Sequence, residues 1–147
     1  MSHPKCSGGP RYERLTAWKS AHAMVLALYR LTAKWPGHER YALTSQTRRA
    51  AVSSAANLVE GTAKFGPKEC ARFVAIAHGS LCELHYLLRL AHELGYLTAD
   101  AWREAEQARA LAGRQVWGLL RKLRATASVT SRPRNTLRDR AHRYLAT

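Results

Sequence analysis

The feature that most constrains the fold is an apolar pattern in the middle of the chain that alternates by four and three residues. Its members are small or apolar side chains of one predicted helix: Phe73, Ala77, Ser80, Leu84, Leu87, Ala91 and Leu94. This spacing places all of them on one helix face, as in a heptad seam. Ile76, Leu81, Leu88 and Leu90 widen the apolar sector beyond that seam. The helix is therefore expected to contact two neighbouring helices, or one neighbour and another subunit.

Proline and glycine residues mark the breaks between four predicted helices. Pro36 and Gly37 end the first, Pro67 suits the first position of the third, and Gly95 suits its C-cap. The predicted helices span about 16–35, 44–60, 67–94 and 98–124, and the predicted N-caps are Thr16, Thr44 and Thr98. No stretch shows the alternation of a β-strand. The sequence therefore predicts an all-α fold, an antiparallel up-down four-helix bundle.

The predicted domain organisation is one bundle between two polar ends. A chain of 147 residues with 46% hydrophobic residues is long enough for one core. Residues 1–13 are rich in proline and glycine and are predicted to be a flexible leader. Residues 14–125 form the predicted bundle, and residues 126–147 a basic C-terminal tail. Within that tail, residues 136–145 are expected to form a short helix on a partner rather than alone.

The charge of the chain is strongly positive. It has 24 Lys and Arg residues against 10 Asp and Glu residues, a formal net charge of +14. Residues 16–125 hold 16 of the basic and 8 of the acidic residues, so the excess is not confined to the tail. Such a chain attracts polyanions, because neutralised phosphates release counterions. A charge for solubility and the arginine bias of a GC-rich genome are the alternatives to a nucleic-acid partner.

Basic side chains of the first and fourth helices and of the tail are the candidate phosphate contacts. They are Lys19, Arg30, Lys34, Arg103, Arg114, Arg121, Lys122, Arg124, Arg132, Arg134 and Arg138. Contacts of this kind do not read bases, so binding would depend on salt concentration and on the shape of the RNA. The alternative is that these side chains form a solvated face.

Charged and amide side chains lie close to the packed face of the second helix and on the third. The predicted polar network consists of Arg48, Arg49, Asn57, Glu60 and Glu83. Because an unpaired buried charge is costly, Glu83 is expected to pair with Arg48 or Arg49 and to fix the helix register. The alternative is that Glu60 and Glu83 form a catalytic carboxylate pair, but arginines outnumber acids around them. The chain is therefore predicted not to be an enzyme.

Histidines recur every seven residues on the third helix, as His78, His85 and His92, with Cys82 between the first two. Cys82 with two of these histidines could hold a soft metal. Residues seven apart are about 10 Å distant along a helix, however, which favours a half-exposed histidine stripe. The three cysteines are odd in number and lack CxxC spacing, so neither a disulfide framework nor a zinc site is indicated. No metal or cofactor is predicted.

The sequence begins without an apolar core of signal-peptide length, and no run of 18 apolar residues occurs in it. A cytoplasmic protein without a membrane partner is therefore expected.

Two linked motifs resemble a known family. They are QTRRAAVSSAANLVEG (residues 46–61) and FVAIAHGSLCEL (residues 73–84), and both are similar to the four-helix-bundle family of 23S rRNA intervening-sequence proteins. The preceding stretch YERLTAWKSAHAMVLALYRLTAKWPGHERYALT resembles the first helix of that family and the link to its second. The resemblance covers about residues 12–123.

The chain departs from the family pattern at Thr47, at Ser54-Ala55, and in its long basic tail. The resemblance implies a non-enzymatic basic bundle that assembles as a homopentameric ring. The family has a related branch, the accessory variability determinants of diversity-generating retroelements. Resemblance to this branch implies that the ring binds a reverse transcriptase and its template RNA and supports cDNA synthesis. The expected partners are then RNA, cDNA or an RNA/DNA hybrid, a reverse transcriptase, and further copies of the chain. The alternative is a protein-only interaction module whose basic face meets an acidic protein.

Overall fold

The computed structural model describes residues 10–130, and every regular element in that range is helical. The four long helices are α1 (Thr16–Thr32), α2 (Leu43–Thr62), α3 (Pro67–Glu93) and α4 (Ala99–Thr130). Short 3₁₀ turns at Arg11–Arg14 and Gly37–Glu39 precede α1 and α2. The predicted all-α class is confirmed for this part of the chain. None of its helices is long and apolar enough to cross a membrane.

Each helix packs against the next one along the chain, and α4 packs back against α1. Side-chain hydrogen bonds cross all four interfaces: Arg48–Thr32, Ser53–Ser80, His85–Glu106 and Ser20–Gln115. Because the connections are short, neighbouring helices run antiparallel, as the sequence predicted for an up-down four-helix bundle. The chain therefore forms a square of helices with α1 diagonal to α3.

The seam predicted on α3 is the centre of the core. Its members from Phe73 to Ala91 are buried, whereas Leu94 lies after the last helical turn and is exposed. Leu81 and Leu88 are also buried, and Ile76 is not. The apolar sector is therefore wide enough to contact both α2 and α4.

Small residues on α2 allow the neighbouring helices to approach it closely. Its buried positions include Ala50, Ala51, Ser54 and Ala55. At Gly61, an added Cβ would lie 3.3 Å from the Cβ of Phe73, closer than ordinary van der Waals contact. The Gly61 position therefore brings the end of α2 against the start of α3.

Two of the three predicted N-caps are wrong. Thr16 is the first helical residue of α1, and its N-cap Leu15 makes no side-chain hydrogen bond. The N–H of Leu43 at the start of α2 donates to the carboxylate of Glu39, not to the hydroxyl of Thr44. Thr98 does accept the N–H of Ala101 at 3.1 Å and caps α4 as predicted. A carboxylate can reach α2 because residues 39–42 form a turn, in which the N–H of Ala42 donates to the carbonyl of Glu39 at 3.0 Å.

The turn between α3 and α4 has the predicted glycine. Gly95 has a φ of 80°, and its N–H bonds the carbonyl of His92 while that of Tyr96 bonds the carbonyl of Ala91. This pair of bonds is the Schellman motif, in which the left-handed residue is usually glycine. The motif directs Tyr96 towards the connection between α1 and α2, where it contacts Trp35 and Glu39.

The predicted domain boundaries differ from the structure at both ends. Residues 11–13 of the predicted leader form, together with Arg14, a 3₁₀ turn against α1 and α2, and the ring of Tyr12 contacts Trp18 at 4.9 Å. Helix α4 continues through Thr130, past the predicted boundary at 125. The hydroxyls of Thr126 and Thr130 are bonded to carbonyls of the preceding turn, so they do not interrupt the helix. Residues 131–147, with the short helix predicted at 136–145, lie outside the described residues.

Candidate nucleic-acid interface

The antiparallel topology divides the predicted phosphate contacts between the two ends of the bundle. Helix α1 begins where α4 ends, so Lys19 shares one end with three residues of α4: Arg121, Lys122 and Arg124. The opposite end carries Arg30, Lys34 and Arg103, and Arg114 lies between the ends on α4. All eight side chains are exposed, but the structure does not bring them together on one surface. The other three predicted contacts, Arg132, Arg134 and Arg138, lie outside the described residues.

The end that holds the C-terminal half of α4 is the more basic one, and we call it the basic pole. Its basic residues are Arg11, Arg14, Lys19, Lys64, Lys68, Arg72, Arg121, Lys122 and Arg124. Five of these, in the 3₁₀ turn before α1 and around the α2–α3 turn, are not among the predicted contacts, which lie on two helices and in the tail. Their signal in the sequence is their position beside predicted turns, because an up-down bundle brings alternate turns to the same end.

Carboxylates do not balance this charge. Within residues 10–130 the basic pole holds nine basic side chains and three carboxylates, those of Glu13, Glu60 and Glu69. Glu60 lies 3.5 Å from Lys64 and Glu69 lies 3.4 Å from Arg72, in exposed pairs that contribute little to stability. In α4, moreover, the last acidic residue is Glu106. The basic pole therefore carries a strongly positive potential towards solvent.

Two of the basic side chains at this pole are held by an aromatic ring. The ammonium of Lys64 lies 4.8 Å and the guanidinium of Arg72 lies 4.7 Å from the ring centroid of Phe73, which is buried. Cation–π contacts of this type restrict the cations to one region of the surface. Nearby, Phe65 in the α2–α3 turn is 97% exposed, and an exposed ring beside cations suits the stacking of an unpaired base.

A groove at the basic pole runs between the start of α1 and α4. It has a volume of about 390 Å³, and Arg14 and Lys122 lie on its two sides. No carboxylate from residues 10–130 lines it, and the first turn of α1 contains no acidic residue. The geometry therefore offers two cations and the positive end of a helix to one negatively charged group.

The predicted pairing of Glu83 with Arg48 or Arg49 is wrong. Arg49, Glu60 and Glu83 are exposed, and Glu83 makes no ion pair among residues 10–130. Arg49 and Glu83 line the same shallow groove between α2 and α3 without contact. Water solvates both charges there, so neither needs a partner in the protein.

Arg48 and Asn57 do make structural contacts, but not with the predicted acids. Arg48 donates from Nε to Oγ1 of Thr32 at 2.8 Å, across the α1–α2 interface. Asn57 donates to the carbonyl of Ser53 at 2.8 Å, and the hydroxyls of Ser53 and Ser80 are bonded at 2.8 Å across the α2–α3 interface. Neutral hydroxyls and carbonyls therefore satisfy these side chains in place of carboxylates.

The predicted histidine stripe lies along the interface between α3 and α4. His78 contacts the ring of Trp117 at 5.2 Å, His85 contacts Oε2 of Glu106 at 2.9 Å, and His92 stacks on Trp102 at 4.4 Å. No group of three histidine, cysteine or acidic side chains within residues 10–130 could hold a metal ion. The stripe therefore contributes to helix packing.

Three serine hydroxyls and the Cys70 thiol, which are potential nucleophiles within residues 10–130, are engaged or unactivated. Ser53 and Ser80 bond each other, and the hydroxyl of Ser54 donates to the carbonyl of Ala51 at 2.6 Å. Burial raises the pKa of the Cys70 thiol, which disfavours the reactive thiolate. These side chains are arranged for packing.

Comparisons with known proteins agree with this architecture. A crystal structure from Bacteroides thetaiotaomicron, of a protein with unknown function from the S23 ribosomal protein family, matches with a TM-score of 0.67 and 14% sequence identity. The match covers 71% of this chain and 95% of the other, and at this identity it shows the fold alone. The comparison with curated proteins finds no similar sequence. The model of the 23S rRNA-intervening sequence protein family matches residues 13–115, which span most of the bundle. The chain therefore belongs to the family of 23S rRNA-intervening sequence proteins.

Proposed function

We propose that this protein is a non-enzymatic RNA-binding scaffold whose basic pole contacts RNA phosphates. The observation that carries the proposal is the concentration, among the described residues, of nine basic side chains against three carboxylates at one end of the bundle. Phosphate contacts of this kind position RNA without reading its sequence. The exposed ring of Phe65 adds a surface on which one unpaired base stacks.

The scaffold acts, in this proposal, as a cytoplasmic accessory subunit of a reverse transcriptase in a diversity-generating retroelement. It binds template RNA and the polymerase and supports cDNA synthesis. The support is the resemblance to the accessory variability determinants together with the charge of the basic pole, which suits RNA and RNA/DNA hybrids alike.

A homopentameric ring is the proposed assembly. The family resemblance supports it, and so do Val52 and Ile76, which are 40% and 43% exposed on α2 and α3 and offer apolar surface to a second copy. A net charge of +14 in each of five subunits makes a polycation that needs a polyanionic partner. Light scattering of the protein purified in high salt tests this part, with a fivefold mass expected and a monomer contradicting it.

Two triple variants that remove the same charge test the RNA proposal. One replaces Arg121, Lys122 and Arg124 at the basic pole with glutamine, and the other replaces Arg30, Lys34 and Arg103 at the opposite end. A structured RNA is titrated against the parent and both variants at two salt concentrations. We expect the pole variant to lose most of its affinity and the other variant to lose little. Equal losses would show that only net charge matters, and binding that is absent from the parent would favour the protein-only module with an acidic partner.

A further inference from the structure

A cleft at the opposite end of the bundle from the basic pole is also positively charged. It lies between the end of α1 and the start of α2 and has a volume of about 390 Å³. Arg40 and Arg48 both line it, with Thr32, Trp35 and Thr44, and no carboxylate of the described residues does. The cleft therefore has a positive charge that its own walls do not neutralise.

Arg48 is held in place by neutral groups. Its Nε donates to Oγ1 of Thr32 at 2.8 Å, its Nη2 donates to the carbonyl of Tyr29 at 3.3 Å, and its guanidinium lies 4.6 Å from the Tyr29 ring centroid. No ion pair neutralises it within residues 10–130. These contacts fix the guanidinium and engage two of its N–H donors. The remaining donors are available to a ligand.

Arg40 adds a second guanidinium without a counterion. It is exposed, and no carboxylate of the described residues pairs with it. Its neighbour Glu39 is already engaged, because the carboxylate accepts the N–H of Leu43 at 3.1 Å and the hydroxyl of Tyr96 at 2.9 Å. Glu39 is also absent from the walls of the cleft.

The walls contain a buried donor that has no acceptor. Trp35 is 7% exposed, and its indole N–H has no hydrogen-bond partner among residues 10–130. Buried polar groups without a partner are rare in folded proteins. Thr44, which is 7% exposed, brings the first turn of α2 to the same cleft, and that turn contains no acidic residue. The Glu39 carboxylate already accepts the N–H of Leu43 at that turn, so the attraction of the cleft for a negatively charged ligand comes from Arg40 and Arg48.

We propose that this cleft binds the phosphate group of a phosphate monoester. A phosphate monoester carries a charge of about −1.5 to −2 at pH 7, which matches two guanidinium groups better than the single charge of a backbone diester does. The planar donors of arginine suit phosphate oxygens in geometry as well as in charge. Ligand clefts of about 300–1,000 Å³ are typical of small-molecule sites, so the cleft has room for the group that carries the phosphate. A mononucleotide and the 5′ end of an RNA strand are the two sources of such a group.

The site is separate from the RNA contact proposed for the basic pole, because the two lie at opposite ends of the bundle. Its test uses inorganic phosphate, titrated into the full chain at constant ionic strength and followed by the ¹H–¹⁵N signals of the indole N–H groups. We expect the Trp35 signal to shift and saturate while those of Trp18 and Trp117 do not move. Arg40→Gln should weaken phosphate binding by about tenfold, as expected for a lost charge-assisted bond. Arg103→Gln removes an exposed arginine from the same end and should leave the affinity unchanged.

Arg48→Lys keeps the charge but not the planar fork, so it should weaken binding while the melting temperature reports whether the fold is intact. A Trp35 signal that fails to saturate, or an equal affinity in Arg40→Gln and the parent, overturns the site.

AMP and two short RNAs, with and without a 5′-phosphate, then distinguish the two sources of the phosphate group. Tighter binding of the phosphorylated RNA that is lost in Arg40→Gln identifies the RNA end, and equal binding of both RNAs with saturable AMP binding identifies a mononucleotide. If RNA binding is lost only in the variant of the basic pole, the phosphate site in this cleft is not contradicted.

Discussion

Tyr96 donates its hydroxyl hydrogen to Oε1 of Glu39 at 2.9 Å and joins the α3–α4 turn to the connection between α1 and α2. The other oxygen of Glu39 accepts the backbone N–H of Leu43 at 3.1 Å. The bond from Leu43, and then that from Tyr96, holds the pKa of Glu39 below its ordinary value of 4.5. The same contact raises the pKa of Tyr96. One carboxylate therefore caps α2 and links two connections at the same end of the bundle.

The first prediction concerns the pH dependence of stability. Because the folded-state pKa of Glu39 is lowered, its contribution to stability is present above pH 4.5 and is lost as the pH falls through the folded-state value. Glu39→Gln should lower the melting temperature at pH 7, and the difference from the parent should narrow below pH 4.5. Thermal unfolding monitored by circular dichroism across this range measures the effect.

Tyr96→Phe is the matched control for that prediction. It removes one of the two bonds to Glu39 and should move the pKa of that carboxyl group towards its ordinary value, as followed by the NMR shift of the carboxyl carbon. A pKa of Glu39 that is the same in the variant and the parent would contradict the role assigned to the Tyr96 hydroxyl.

The second prediction concerns Glu83, which is exposed and makes no ion pair among the described residues. Glu83→Ala should change the free energy of unfolding by no more than about 0.5 kcal/mol, as is usual for surface positions. Leu84→Ala, at the fully buried neighbour, should cost about 2–5 kcal/mol. Urea unfolding of both variants tests the contrast. A cost above about 1 kcal/mol for Glu83→Ala would place its partner in another subunit.

The third prediction concerns the close approach of α2 and α3 at Gly61. Gly61→Val should destabilise the fold by about 1–3 kcal/mol, because its Cβ would crowd Phe73 and the carbonyl of Cys70. Gly113→Ala serves as the control, since its nearest neighbour is the guanidinium of Arg109 at 3.9 Å, an ordinary van der Waals distance. It should stabilise α4 by about 0.5–1 kcal/mol. If denaturant unfolding shows equal effects for the two variants, crowding at Gly61 does not limit the packing.

The fourth prediction concerns the salt dependence of RNA binding at the basic pole. If Arg121 and Lys122 each neutralise one phosphate, replacing either with glutamine should reduce the slope of log affinity against log salt by about one. Arg30→Gln at the opposite end should leave the slope unchanged. Filter binding over a range of salt concentrations measures all three slopes. An unchanged slope for both pole variants would remove these residues from the interface.

Most of the fold was predictable because it depends on local patterns. The seam on α3 follows the helical period, and Gly95 and Thr98 act at the positions that their chemistry favours. The caps of α1 and α2 were not predictable in this way. Glu39 reaches Leu43 because residues 39–42 form a turn, and a glutamate in that position is not one of the usual cap residues.

The candidate site was predictable in composition but not in arrangement. The sequence shows an excess of arginine and lysine, and it shows which helices carry them. It does not show that Arg14 faces Lys122, or that Arg40 and Arg48 share a cleft without a carboxylate. Those relations join residues that are distant along the chain or on different elements, and they depend on how the helices pack.

The sequence by itself determined the helical class, the presence of four helices, the positive charge and the family. Helical period, turn residues and net charge are properties of short stretches or of composition, so no packing is needed to establish them. Only the tertiary structure decided that Glu83 lies in solvent away from Arg48, and that the basic residues gather at one pole with a second positive cleft at the other end. The reason is that burial and charge pairing depend on the rotation and register of each helix against its neighbours, which small shifts in packing alter without changing the sequence pattern.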